Sequence, residues 1–195
     1  MCNFQDLQER FQNIYGKNVW KDFISFKRTE GRNRLNSWEE FESQLKIYVE
    51  RFKKVTNFYE NNYEYTRFIL ITLERYYGRK IDFTENEDNQ LVWEVEHIRP
   101  QSQKEQSDAT IHNIGNLTLL RKKVNSDMAY NKLSVDEKIK YLHEDKDKLF
   151  LNENISQLEG SFDIVRRSDY LKERFQSIFK QSFPDYRSRV LGMDE

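Results

Sequence analysis

The stretch VEHIRPQS, residues 95–102, sets Glu96 beside His97, one of only three histidines in the chain, and follows them closely with Pro100. Two chemistries suit such a pair. Either His97 is a packed strand residue with a satisfied imidazole, or it is the base half of a metal-and-base pair. Two asparagines downstream, Asn116 and Asn125, bear on the choice by their positions. A hairpin with a long loop can bring the end of one strand beside the start of the helix that follows the second. Glu96 and Asn125 can then supply oxygens to one divalent ion, with His97 directed at what the ion binds. Hard oxygen donors that leave several positions to water suit Mg²⁺. A neutral imidazole near pH 7 suits proton abstraction.

Placing those residues requires a strand, a return strand and a helix. LVWEVEHI (91–98) is β-branched and aromatic enough for the first strand. IGNLTLL (114–120) is the second, opened by Gly115 and containing Asn116. Between them lies a polar loop, QSQKEQSDAT (101–110), and before them another, TENEDNQ (84–90). A helix is expected to begin near Asn125, and Ser134 with Glu137 reads as a capping box ahead of IKYL. Around this unit the spacing is helical. Trp38, Phe41, Leu45, Tyr48, Phe52 and Val55 recur at intervals of three and four, with Ser37 and Glu40 as their capping box. Tyr65, Phe68, Ile69, Leu73 and Tyr76 share a second face that stops at Gly78. Phe4, Leu7, Phe11 and Ile14 begin the chain in the same pattern, and a last helix is expected from Ile164 to Phe183, ended by Pro184. The reading is a mainly helical α+β protein: an N-terminal helical region (1–90), a strand–loop–strand–helix unit (91–143) and a C-terminal helical region (144–195).

Composition narrows the classes. Of 195 residues, 37% are hydrophobic and 14% aromatic, ample for a core, and two prolines with six glycines favour long helices. The single cysteine, Cys2, excludes an internal disulfide and a cysteine-based zinc knuckle. No apolar run is long enough to span a membrane. The polar start MCNFQDLQERF is not a signal peptide, so a cytoplasmic location is the expectation. The net charge of −1 gives no global attraction to nucleic acid. Local bias exists at Arg121–Lys123 and, with more Arg and Lys than Asp and Glu, from Gly160 to Gly192, where a solvated face is the plain alternative.

The pattern EHIRPQ, then GNLTLL, then Asn125, Asn131 and Lys138 resembles the HNH (ββα-metal finger) nucleases. It is most like the C-terminal HNH domain of GmrSD-type, modification-dependent restriction enzymes. RFILITLERYYGR and IVRRSDYLKERF look like that family's flanking helices, so the likeness covers roughly 60–183. The resemblance implies His97 as the base that deprotonates the attacking water, Glu96 and Asn125 as ligands of one divalent cation (Mg²⁺, with Mn²⁺ able to substitute), and Asn116 as a tie that orients the histidine without touching the ion. Arg99, Arg121, Lys122, Lys123, Lys132 and Lys138 surround the motif as candidate phosphate contacts, Lys138 foremost because it matches a family lysine. His112 reads as a loop histidine, with a place lining the site as the alternative, and His143 as a helix-end cation.

The function implied is metal-dependent cleavage or nicking of double-stranded DNA in defence against foreign DNA. No Walker-type glycine loop occurs, which leaves three readings: a separated nuclease subunit whose nucleotide-hydrolysing partner is another subunit or domain, a fragment, or a stand-alone nuclease. The alternatives are an RNA-cleaving toxin built on the same finger, and a non-catalytic nucleic-acid-binding module that retains it.

Overall fold

The computed structural model describes residues 4–27, 35–78, 92–101, 110–157, 162–181 and 183–193. The loop 84–90 and most of the loop 101–110 lie outside the described residues. Helices α1 (Phe4–Tyr15) and α2 (Lys17–Ser25) meet at Gly16, whose φ of 96° is open to glycine and strained for other residues. Helix α3 (Trp38–Glu50) begins at Ser37, whose hydroxyl accepts from the Glu40 amide. The Glu40 carboxylate accepts from the Asn36 amide, one residue earlier than a regular capping box requires. A 3-10 turn, Arg51–Lys54, follows.

Helix α4 (Tyr63–Tyr77) is the centre of the molecule. The sequence pattern marks one apolar face, yet Tyr65 through Glu74 are all buried. The reason is tertiary: α1 and α2 pack on one side of α4, and the sheet, α8 and α9 on others. Phe11 alone has five aromatic neighbours (Tyr15, Trp20, Phe23, Phe41 and Phe68) with ring centroids 4.5 to 6.1 Å away. One core runs from Leu7 to Met193.

Strands β1 (Trp93–His97) and β2 (Leu117–Arg121) form an antiparallel pair with Trp93 opposite Arg121 and His97 opposite Leu117. Trp93, Val95 and His97 face the main core, and Glu94 and Glu96 take the other side. Both faces of β2 are covered: Leu117 and Leu119 join the main core. Leu120 joins a second cluster with Ile98, Tyr130, Leu142 and Ile155. Asn116 falls in a 3-10 turn, Ile114–Asn116, and the strand starts one residue later. Helix α5 (Lys122–Asn125) follows β2 directly, so Asn125 ends it and does not begin it. Then come α6 (Met128–Asn131), α7 (Val135–Glu144), with the expected Ser134–Glu137 capping box complete, and α8 (Phe150–Gln157).

Two buried arginines bind the sheet to the helices. Arg67 of α4 donates from Nη1 to the Trp93 carbonyl of β1 and from Nε to the Tyr15 carbonyl at 2.9 Å. Arg167 of α9 (Ile164–Gln181) donates to the carbonyls of Gly115 (2.6 Å), Leu117 (2.9 Å) and Leu151 (3.0 Å). Burial lowers its pKa to about 9, which leaves it charged at neutral pH. Gly115 is required by this packing: a Cβ there would stand 2.0 Å from the Ile164 carbonyl oxygen. Helix α9 stops at Gln181, and Pro184 sits in the first turns of α10 (Phe183–Asp185), where its missing N–H costs nothing. A π-helical turn, Tyr186–Leu191, closes the chain on α1 and α4. Much of the C-terminal basic charge is stacked: Arg187 lies over Trp38, Arg174 over Tyr170 and Arg189 over Tyr76. Among the described residues no helix is long and apolar enough to cross a membrane.

Two predictions test this packing. Gly115→Ala is expected to lower the unfolding free energy in urea by ~1–3 kcal/mol or more, because the carbonyl it strikes belongs to a helix backbone. An unchanged midpoint would show that α9 yields freely. The second concerns Glu74, fully buried, whose oxygens accept from the Phe150 and Leu151 amides at the start of α8. Burial raises its pKa from 4.5 to about 7. The folded state therefore holds a proton that the unfolded state releases. The stability this contributes is complete below about pH 4.5 and is lost as pH rises through 7. Between pH 4.5 and 8 the native protein should lose ~3 kcal/mol relative to Glu74→Gln in paired denaturation curves. Parallel curves would contradict the shift.

Candidate active site

Strand β1 ends at His97, and the chain bends at Ile98 and Arg99. Asn116 holds that bend. Fully buried, it accepts at Oδ1 from the Arg99 amide (2.8 Å) and donates from Nδ2 to the carbonyls of Arg99 (3.1 Å) and Ile111 (2.8 Å). The Ile98 amide donates in turn to the Asn116 carbonyl (2.8 Å). The strand end and the approach to β2 are thus one stitched unit, and a wrong rotamer at Asn116 would leave buried donors and acceptors unpaired.

His97 is 4% exposed. Its Nε2 lies 3.2 Å from His112 Nδ1, and His112 Nε2 lies 3.2 Å from Glu60 Oε1. The Tyr59 ring packs on His97 at 4.2 Å between centroids and runs nearly parallel to His112. Burial first, then the neighbouring His112 and Lys138, lower the His97 pKa to about 4, against a smaller opposing effect of Glu60. The imidazole is therefore neutral at physiological pH and carries a lone pair.

The other face of β1 carries the acids. Glu94 and Glu96, two residues apart, share it. Lys138 Nζ lies 2.7 Å from Glu96 Oε1 with the lysine only 2% exposed, and its ammonium sits 4.7 Å from the Tyr130 ring centre. Asn125 donates from Nδ2 to Glu94 Oε2 at 3.0 Å, and Asn131 Nδ2 holds the Asn125 carbonyl at 3.0 Å. Burial first, then the fields of Glu96 and Glu94, raise the pKa of Tyr59, whose ring packs on His97.

The structure thus places the expected residues as follows. Asn116 is the backbone tie beside His97. Asn125 reaches the sheet but pairs with Glu94, while Glu96 pairs with Lys138. Lys138 is turned inward onto Glu96 and is not at the surface. Arg121 is engaged twice, by Asp147 (2.6 and 3.1 Å) and by the Trp93 ring. Lys122, Lys123 and Lys132 are exposed, and Arg99 is half-buried. Three residues, Glu94, Tyr59 and Glu60, enter beyond those expected, and His112 takes the alternative place given to it, lining the site. Glu94 was legible through the period of two along a strand that already contained Glu96. His112 is a turn residue, as expected, yet its ring reaches His97. Tyr59 and Glu60 come from the connection between α3 and α4, and no local pattern connects NFYENN to a strand nearly forty residues on.

The donors on the acid face are two carboxylates and an amide, all hard oxygens, and they fit Mg²⁺ or Mn²⁺. Among the described residues no group of three or more His, Cys, Asp and Glu is placed to hold a metal ion.

No curated protein and no solved structure matches the chain. The family model described as GmrSD restriction endonucleases, C-terminal domain, matches residues 46–175, which takes in α4, both strands, every residue of the site and most of α9. By that match over more than half its length, with Glu96, His97, Asn116 and Asn125 all inside it, the chain belongs to the C-terminal domain family of the GmrSD restriction endonucleases.

Proposed function

We propose that the protein is a metal-dependent HNH endonuclease or nickase that hydrolyses DNA phosphodiester bonds as the nuclease part of a bacterial restriction system. One observation carries this reading: a buried, neutral imidazole, His97, ends the strand whose opposite face holds Glu94, Glu96 and Asn125. Membership of a restriction endonuclease family supports it.

In this reading His97 accepts the proton of the attacking water, a role that needs the lone pair its burial preserves and is worth ~10²–10⁴-fold. Asn116 keeps the histidine's strand end in place through the Arg99 backbone. Glu96, Glu94 and Asn125 would hold the divalent cation, and when bound it supplies Lewis-acid stabilisation of the charge on the phosphate. Lys138 balances the second carboxylate's charge from within the fold. The exposed Lys122, Lys123 and Lys132 grip the phosphate backbone.

Supercoiled plasmid incubated with Mg²⁺ or Mn²⁺ should be nicked or linearised, and EDTA should stop the reaction. A folded RNA beside it separates the two substrates, and RNA cut in preference to plasmid would replace the DNA assignment. His97→Ala is expected to lose ~10²–10⁴-fold in rate with Mn²⁺ affinity unchanged by calorimetry, whereas Glu96→Ala should lose both. A folded His97→Ala protein that cleaves normally would remove the base assignment. The basic cluster yields a further expectation. Because Arg121 is committed to Asp147 and Trp93, neutralising Lys122 and Lys123 together should flatten the salt dependence of DNA binding by up to ~2 units. Adding Arg121→Ala should instead lower stability with little further change in slope. A third unit of slope from Arg121 would return it to the phosphate contacts.

A further inference from the structure

We infer that Glu60 and His112 are positioning residues that fix the tautomer and the ring orientation of His97, so that Nδ1 of His97 is its basic atom. The inference rests on His97 being the base. It comes from the order of hydrogen bonds along one chain of side chains. A carboxylate accepts and does not donate. Glu60 Oε1, 3.2 Å from His112 Nε2, therefore places the His112 proton on Nε2. In the neutral form of His112 that this order of bonds requires, Nδ1 is bare and accepts. Its partner 3.2 Å away, His97 Nε2, must then be the donor. His97 keeps its lone pair on Nδ1 alone.

The carboxylate that starts this chain is held although 56% exposed. Asn57 Nδ2 donates to Glu60 Oε2 at 2.8 Å, while Asn57 Oδ1 accepts from the amides of Tyr59 and Glu60. Asn62 Nδ2 donates to the Asn57 carbonyl and itself accepts from Arg51. The turn is joined to the histidine segment by the Phe58 amide, which donates to the His112 carbonyl at 2.9 Å. Tyr59 closes the remaining side, packed on His97 and parallel to His112. The device joins the connection between α3 and α4, outside the strand–loop–strand–helix unit, to the turn before β2 within it. It resembles in logic the partner group that selects the tautomer of a catalytic or ligating histidine.

The test is a nitrogen–nitrogen coupling measured across the hydrogen bond in the full chain labelled with ¹⁵N-histidine at neutral pH without added metal. The expected result is a protected proton on His97 Nε2 coupled to His112 Nδ1. A proton on His112 Nδ1, or no coupling, overturns the inference. In cleavage assays Glu60→Ala, at a largely exposed position, should lower kcat by about tenfold with KM unchanged. Glu60→Gln, which keeps an accepting oxygen, should recover most of that loss. His112→Asn, whose amide oxygen can accept from His97, should retain more rate than His112→Leu. A Glu60→Ala protein with native kcat overturns the part assigned to Glu60. The two readings fail separately. Intact coupling with a fully active His97→Ala protein overturns the base assignment beneath the inference, whereas reversed coupling with an inactive one overturns the positioning chain alone.

Discussion

The structure depends on two guanidinium groups that have been taken out of water to hold backbone carbonyls. A two-stranded antiparallel sheet is marginal by itself. This chain has no cysteine cluster to hold its sheet with zinc. Arg67 reaches β1 from α4, and Arg167 reaches the turn and first residue of β2, and the start of α8, from α9. Each strand is thereby bonded to a different long helix of the same core. The cost is a buried charge, offset by five donations to backbone carbonyls, although Arg167 Nε has no partner among the described residues. What this secures is registry: the ends of β1 and β2 cannot shift against the helices without leaving a cation unpaired.

That registry matters because a strand divides its side chains between two faces. Consecutive residues Glu96 and His97 cannot share a face along regular β1, and they do not. The imidazole enters an apolar, aromatic environment that keeps it neutral, and the carboxylate enters one lined by Lys138, Asn125 and the acid two residues before it. Groups with opposite requirements are thus kept in different surroundings a single residue apart. The strand stops at His97, and Asn116 fixes the bend that follows.

The same economy governs the basic residues. The chain is almost neutral overall, and many of its cations are internal structure: Arg167 in the core, Lys138 on Glu96, Arg121 on Asp147 and Trp93, and three C-terminal arginines over aromatic rings. Guanidinium groups suit such stacked and bidentate positions better than ammonium groups do. The exposed cations next to the site are lysines, Lys122, Lys123 and Lys132. Counting charge along the chain therefore overstates the surface available to a polyanion.

The elements were legible along the chain. Helical periodicity marked α1, α3, α4, α7 and α9, the β-branched runs marked both strands, and the EHIRP and GNLTLL motifs marked the family and the strand end. These signals are local, set by propensity, capping and the periods of 3.6 and 2. Even the tie made by Asn116 follows from one side chain meeting backbone nearby. The tertiary structure alone decided the partners. It assigned Asn125 to Glu94, turned Lys138 inward, and used Arg121 to close an ion pair with Asp147. It also brought Glu60 and His112 into line behind His97. Those choices turn on which buried polar group is closest once the helices have packed, a matter of non-local geometry that neighbouring residues in the chain do not encode.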